Sequence, residues 1–295
     1  MQVHILGSGA GGGFPQWNCN CDNCHNLLSG TIRSQPSSQS SIAISPDGQS
    51  WVLVNASPDI RAQILAFPPL RAVDGRCGSS ICAVMLVDSQ LDHTMGLLNL
   101  REGEGLELYC TEMVREDLTS GFPVLPILDY YCGIVWHPIP IEGDSFAVPC
   151  AEGLRFTAVP LHSKAPPYSP HRQDPHLGDT IGLWVEDLRG ARNLFYAPGL
   201  GKLEGRIRSF MEQADVLLVD GTFWSEDEMS RCGVGRKLAS EMGHLPQAGP
   251  GGMMETLKSL RKPRKILIHI NNTNPILDED SAQRGLLRAA GIEVA

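Results

Sequence analysis

Aromatic residues make up only 6% of the 295 residues, and the 24 lysines and arginines are outnumbered by 33 carboxylates. The resulting formal charge of −9 excludes a nucleic-acid backbone as the expected partner, because phosphate binding needs a basic stripe that releases counterions. The one basic cluster, LKSLRKPRK at 257–265, reads instead as a helix C-terminus whose charges suit the dipole. No apolar run approaches the roughly 18 residues of a membrane span. The opening MQVHILGSGAGGG lacks a basic leader before a long apolar core, so no signal peptide is expected. With 42% apolar and 19% charged residues, a folded cytoplasmic protein is the expectation.

A paired cysteine framework is also not expected. Of the nine cysteines, Cys19, Cys21 and Cys24 crowd into CNCDNC and the rest are scattered singly, which reads as one chelating loop plus small buried apolar residues. Three thiolates within six residues can wrap one soft cation, and zinc is the usual occupant of such a site. The reading is a structural zinc with an open question over its fourth ligand, for which His25 is the nearest candidate in sequence.

Short runs rich in Val, Ile and Leu recur as candidate strands: VHILGSG, SSIAIS, WVLVNAS, ICAVMLVDS, LELYC, LRFTAVPL, IGLWVED, NLFYAPG, VLLVDGT and KILIHI. Helical periodicity is clearest in SPDIRAQILAF, HTMGLLNLREG, LEGRIRSFMEQA and GGMMETLKSLRK. Two sheets packed face to face with helices outside are the expected α/β architecture. The segment 164–180, KAPPYSPHRQDPHLGDT, reads as a long loop over a site rather than as a linker.

The run GSGAGGG invites a dinucleotide-binding reading, but that motif needs a helix to begin among the glycines, and FPQWNCNC follows instead. The glycines then mark a close backbone approach. Among the nine histidines, His4 and His137 sit in apolar surroundings and His171 and His176 in the long loop. By contrast, His93, His162, His244 and His269 each stand at a strand end or turn, where side chains from separate elements converge.

The segments ILGSGAGGG, DSQLDHTMG, PLHSKAPPY, NLFYAPGLG and KILIHINNTNP resemble, in content and order, those of the metallo-β-lactamase superfamily. In length and motif order the chain is similar to the PQQ-biosynthesis protein B family. The resemblance implies a four-layer αβ/βα sandwich over residues 1–295, a single domain with an N-terminal zinc loop. It also implies a cytoplasmic role in assembling pyrroloquinoline quinone (PQQ), alongside other PQQ-biosynthesis proteins.

The superfamily's hydrolases hold two metals with His-x-His-x-Asp-His, a later His, a bridging Asp and a last His. Here those positions read Asp88, Gln90, Asp92 and His93, then His162, then Pro198, then His269. One metal has lost its paired histidines and its bridge. The other keeps Asp92, His93 and His269, the composition of a facial triad for non-haem Fe(II), where zinc or another divalent ion can substitute. For Asp92 and His93 to converge, a turn must intervene, expected where a helix begins at about Thr94.

The resemblance further implies that His162 binds substrate or moves protons, that His244 is a general acid, and that Asp220 orients His269. Asp88 and Gln90 are expected to line the substrate cavity, with Arg101, Lys164 and Arg172 clamping substrate carboxylates. In phosphodiesterase relatives a histidine three residues after the last ligand completes the cysteine site; Asn272 stands there, so His25, another side chain or water is expected instead. The leading function is iron- and oxygen-dependent hydroxylation of a tyrosine-derived, Glu-Tyr cross-linked PQQ precursor. The alternatives are a non-catalytic carrier of PQQ or its precursor towards export, and a residual metallohydrolase.

Overall fold

Every position of WVLV, residues 51–54, is buried, the pattern of a central strand covered on both faces. The computed structural model, which describes residues 1–71 and 78–295, builds such runs into two compact units. One comprises Met1–Gly7 and Ser40–Arg192, the other Ser8–Gln39 and Asn193–Ala295.

In the first unit, β1 (Gln2–Gly7), β2 (Ser41–Ser45), β3 (Trp51–Val54), β4 (Ile81–Met85), β5 (Leu106–Cys110) and β6 (Ile134–Pro138) pair in sequence order as one sheet. The pairings β1–β2 and β2–β3 are antiparallel; from β3 to β6 the strands run parallel. Parallel neighbours need crossovers, and the helices Ile60–Ala66, Glu112–Glu116 and Val124–Leu128 occupy them. Their apolar faces close on Leu53, Val84, Leu86 and Leu108, all fully or almost fully buried; truncating one of these leucines to alanine costs about 2–5 kcal/mol. The same unit carries β7 (Ser145–Phe146), β8 (Leu154–Pro160) and β9 (Ile181–Asp187), paired antiparallel.

In the second unit, β10 (Arg192–Ala197), β11 (Val216–Asp220), β12 (Arg264–Ile268) and β13 (Ile292–Val294) are parallel neighbours. Helices Gly205–Gln213, Met253–Ser259 and Ala282–Ala289 precede β11, β12 and β13 in turn. Parallel strands of this kind open at their C-terminal ends, and there Asp220 and His269 stand.

Three expectations change. HTMGLLNLREG is not one α-helix: a single α-turn, Leu91–Thr94, passes into a 3-10 segment, Met95–Glu102. A helix, Asp22–Ser29, begins inside CNCDNC, beyond the glycine run, with Cys21 at its N-cap and Cys24 in its first turn. Cys82 of β4 is bonded to Cys150 in the turn Pro149–Ala151, with Cα atoms 6.1 Å apart, so a disulfide is present where none was expected. Its partners are 68 residues apart, and only the fold brings them together. Cys110 is buried, as expected of a scattered cysteine, whereas Cys232 is exposed; Cys77 lies outside the described residues. Among the described residues no helix is long and apolar enough to cross a membrane.

Candidate metal centre

In the first unit, β4 leads through Leu86 and Val87 to Asp88, which bridges to Thr180. Asn55, at φ 62°, holds this exit by accepting the Val87 N–H on Oδ1 at 3.2 Å and donating its own N–H to the Met85 carbonyl at 2.8 Å. Asparagine tolerates this left-handed backbone better than most residues. The chain then turns at Gln90, and the helical turn starts at Leu91, three residues earlier than expected. Asp92 and His93 therefore share that turn, with Asp92 Oδ2 and His93 Nε2 4.0 Å apart. Gly96 closes the turn against the Ala56 and Ser57 carbonyls, where any Cβ would collide.

His93 is 1% exposed and donates Nδ1–H to Asp88 Oδ1 at 2.7 Å. Burial alone would lower the pKa of this imidazole, but the charges of Asp88 and Asp92 and the Asp88 hydrogen bond push it up to about 9. Asp88 is 3% exposed, and the same oxygen accepts the Gln90 N–H at 2.9 Å. Asp88 therefore faces His93. Gln90 donates Nε2–H to the Lys164 carbonyl at 2.8 Å and so ties down the long loop.

In the second unit, Asp220 ends β11 with no exposed surface. Oδ1 accepts from the Thr222 N–H at 2.9 Å and the Thr222 hydroxyl at 2.6 Å; Oδ2 accepts from the Leu200 N–H at 2.8 Å and His244 Nδ1 at 2.7 Å. Burial would raise its pKa, but the neighbouring imidazoles and these hydrogen bonds outweigh burial and hold it below the usual carboxylate range. Four donors fill its acceptor sites, which makes Asp220 an anchor.

Between Asp220 and His269 stands Thr222. Thr222 Oγ1 lies 2.9 Å from His269 Nδ1. Its single hydroxyl proton is directed at two oxygens, Asp220 Oδ1 at 2.6 Å and the His269 carbonyl at 2.8 Å, so towards the His269 ring Thr222 accepts, which favours Nδ1–H and leaves Nε2 as the nitrogen carrying the lone pair. By the same proton count His244 carries Nδ1–H towards Asp220, and its ring stacks on that of His269 with centroids 5.3 Å apart. Asp220, His244 and His269 can each bring one ligand atom within 4.8 Å of the others. His269 itself has φ 56°, an uncommon backbone for a residue with a side chain and one that local structure must hold. Ser8 and Thr222 do so: their carbonyls accept the N–H groups of Ile270 at 2.7 Å and Asn271 at 3.1 Å.

The sulfur atoms of Cys19, Cys21 and Cys24 gather within 4.8 Å of one another, as three ligands of one cation require. Burial works against ionising Cys19, but hydrogen bonds from Cys21, Asn272 and Cys24 bring its pKa below the ordinary thiol value. His25 is exposed on the helix that follows and does not face the triplet. Asn272 does: its amide Nδ2 stands 3.2 Å from Cys24 Sγ and 3.6 Å from Cys21 Sγ. The glycine run passes beside this loop, and Gly9 pairs with both Gln39 and Ile270, the close backbone approach that the glycines imply.

Arg101 donates to the Leu98 carbonyl at 2.8 Å, pairs with Glu102 at 3.0 Å and packs over the Tyr131 ring on the surface. Arg172 donates to the Ala165 carbonyl within its own loop. Both guanidiniums are thus engaged locally. Lys164 is half-buried, and His162 is exposed just beyond β8. Sequence reading missed Thr222, although a hydroxyl two residues after a strand-ending aspartate was the available signal.

The description "Beta-lactamase superfamily domain" matches residues 50–270. That match defines the class: the chain has the metallo-β-lactamase αβ/βα sandwich fold. Proteins named coenzyme PQQ synthesis protein B from Methylococcus capsulatus and Azotobacter vinelandii are 58% and 60% identical to it, over 100% of this chain and 97% of each relative. The chain belongs to the coenzyme PQQ synthesis protein B family. The crystal structure of Zn(2+)-bound PqqB from Methylobacterium extorquens is similar at 38% identity and a TM-score of 0.89, covering 100% of this chain and 97% of that one. A diphosphatase from the PhnP family shares the fold at 18% identity and a TM-score of 0.66, over 99% and 93% of the two chains.

Proposed function

We propose that this chain is a metal-dependent enzyme of PQQ biosynthesis that hydroxylates a tyrosine-derived precursor with Fe(II), oxygen and an external two-electron reductant, one oxygen atom going to the ring and the other to water. The observation carrying the reading is the donor set. Asp92 and His93 share one helical turn, His93 has Nδ1–H tied to a carboxylate, and His269 has Nδ1–H tied through Thr222 to another. One carboxylate and two imidazoles that present Nε2 are what a facial triad needs. We take Asp92, His93 and His269 together as holding one ion, and residues 1–295 as one functional domain. The zinc-bound state of the Methylobacterium relative supports divalent binding in this family, and zinc follows iron upward in intrinsic affinity for such ligands. When bound, Fe(II) would supply oxygen activation.

The chain's own residues do the rest. Asp88 and Asp220 hold imidazole orientation, and His244, tied to Asp220, exchanges a proton at Nε2 with substrate. A zinc held by Cys19, Cys21 and Cys24 would fasten the loop beside Asn272. The test is anaerobic loading with Fe(II), addition of the cross-linked precursor and a two-electron reductant such as ascorbate, and a single turnover under oxygen. Hydroxylated product in proportion to iron supports the reading. Tight quinone binding with no oxygen uptake would replace it with the carrier role.

A further inference from the structure

We propose that Asp88 is a positioning residue of the metal centre: it holds His93 with its proton on Nδ1 and so directs Nε2 to the ion. The inference rests on reading His93 as a ligand, and it changes what position 88 does. A residue standing where related hydrolases carry a ligand histidine works here through a neighbouring ligand instead.

The geometry is over-determined at Asp88 before the imidazole enters. Its Oδ1 accepts the Gln90 N–H two residues on at 2.9 Å, a local turn that fixes the carboxylate relative to its own backbone. The Thr180 bridge fixes that backbone against the chain beyond the long loop. His93 is fixed from its other side, since its N–H donates to the Gln90 carbonyl at 2.9 Å and its carbonyl accepts the Ala56 N–H at 2.7 Å. Carboxylate and ring therefore meet at 2.7 Å across one turn that Gln90 ties to both and that Thr180 and Ala56 anchor from outside, and both side chains are almost fully buried. Which ring nitrogen is left for a metal is set by the bond the other one makes. Here that bond goes to a carboxylate, which also raises ligand basicity. Gln90, tied to the Lys164 carbonyl, has no such hold on the ring, so positions 88 and 90 diverge in function.

The test uses the full chain with its cysteine site intact and compares Asp88→Ala, Asp88→Asn, Gln90→Ala and His93→Ala. Co(II) titration gives affinity, and 15N spectra of the zinc-loaded protein identify the metallated nitrogen of His93. Asp88→Ala should weaken Co(II) binding by about 10- to 100-fold, and zinc-loaded His93 should then show mixed Nδ1 and Nε2 ligation. Asp88→Asn keeps an acceptor for Nδ1–H without the charge, so ligation through Nε2 should persist with a smaller loss of affinity. Gln90→Ala should bind Co(II) as the parent does. If Asp88→Ala does not fold, the asparagine variant decides: parental affinity in it overturns the proposal. Loss of binding in His93→Ala with none in either Asp88 variant defeats the role of Asp88 alone. No loss in His93→Ala defeats the metal-centre reading beneath it.

Discussion

The two units hold their histidines differently. In the first, a carboxylate touches the imidazole directly, Asp88 to His93 at 2.7 Å, from just ahead of the helical turn that carries the histidine. In the second, a hydroxyl intervenes: Asp220 holds Thr222, and Thr222 receives His269. The direct pair places charge next to the ring and raises its pKa. The relay spends its carboxylate on four donors and reaches the His269 ring through a hydroxyl. A buried carboxylate can therefore serve a ligand as an electrostatic partner or as a scaffold, and proton counting on the intervening hydroxyl tells the two apart. The units also differ in how sulfur fastens them, by the Cys82–Cys150 bond in one and by the three clustered thiols in the other.

The sulfur contrast carries the largest expected effects. Cys82→Ala should destabilise the protein by about 4 kcal/mol, from the entropy of a loop closed over 68 residues, read as a lower midpoint in denaturant. Cys19→Ser, Cys21→Ser or Cys24→Ser should lower melting temperature and zinc content together, because forming such a site is coupled to folding. Full loss of zinc at unchanged melting would remove the contrast.

Next come the ligands. His93→Ala and His269→Ala should each weaken active-site metal binding by about 100-fold or more and abolish iron-dependent turnover, since two remaining donors hold Fe(II) poorly. Metal analysis should show the cysteine-bound zinc retained in both variants. Normal product formation by either would break the symmetry of the two half-sites.

The pH response comes from the direct pair. A metal binds neutral imidazole, so it must displace the proton that Asp88 and Asp92 hold on His93 up to about pH 9. Affinity should climb about tenfold per pH unit from 6 towards 9 and then level off. Calorimetric titrations across that range check the sign and the plateau. In Asp88→Asn the plateau should come at lower pH.

The smallest effect belongs to the relay. Thr222→Val removes the hydroxyl between Asp220 and His269, and should weaken metal binding by about tenfold or less, the low end for outer-shell partners. An effect as large as that of Asp88→Ala would show that relay and direct contact are energetically alike.

Much of this was legible in the sequence. Runs such as VLLVDGT and KILIHI announce buried parallel strands because apolar residues continue up to the strand end, where function begins. IVWHP of β6 was not recognised, because its burial is only partial and its pattern carries a histidine and a proline. Asp92, His93 and His269 stood out by residue type, as did the cysteine triplet. The role of Asp88 was hidden: it depends on where the helical turn begins, and a start at Leu91 instead of Thr94 decides which side chains meet. The Cys82–Cys150 bond was hidden for the opposite reason, since nothing local marks a partner 68 residues away.

The turn carrying Asp92 and His93 also limits how the chain can vary in length. Asp88 and His93 are five residues apart and meet through one tight turn. Each residue added between them would rotate His93 by about 100° around the helix axis, so even a single insertion would aim the imidazole away from its carboxylate. Insertions and deletions among descendants of this chain should therefore collect in the exposed stretch at 101–105 or near the tip of the long loop at 173–177, leaving the 88–93 interval at constant length.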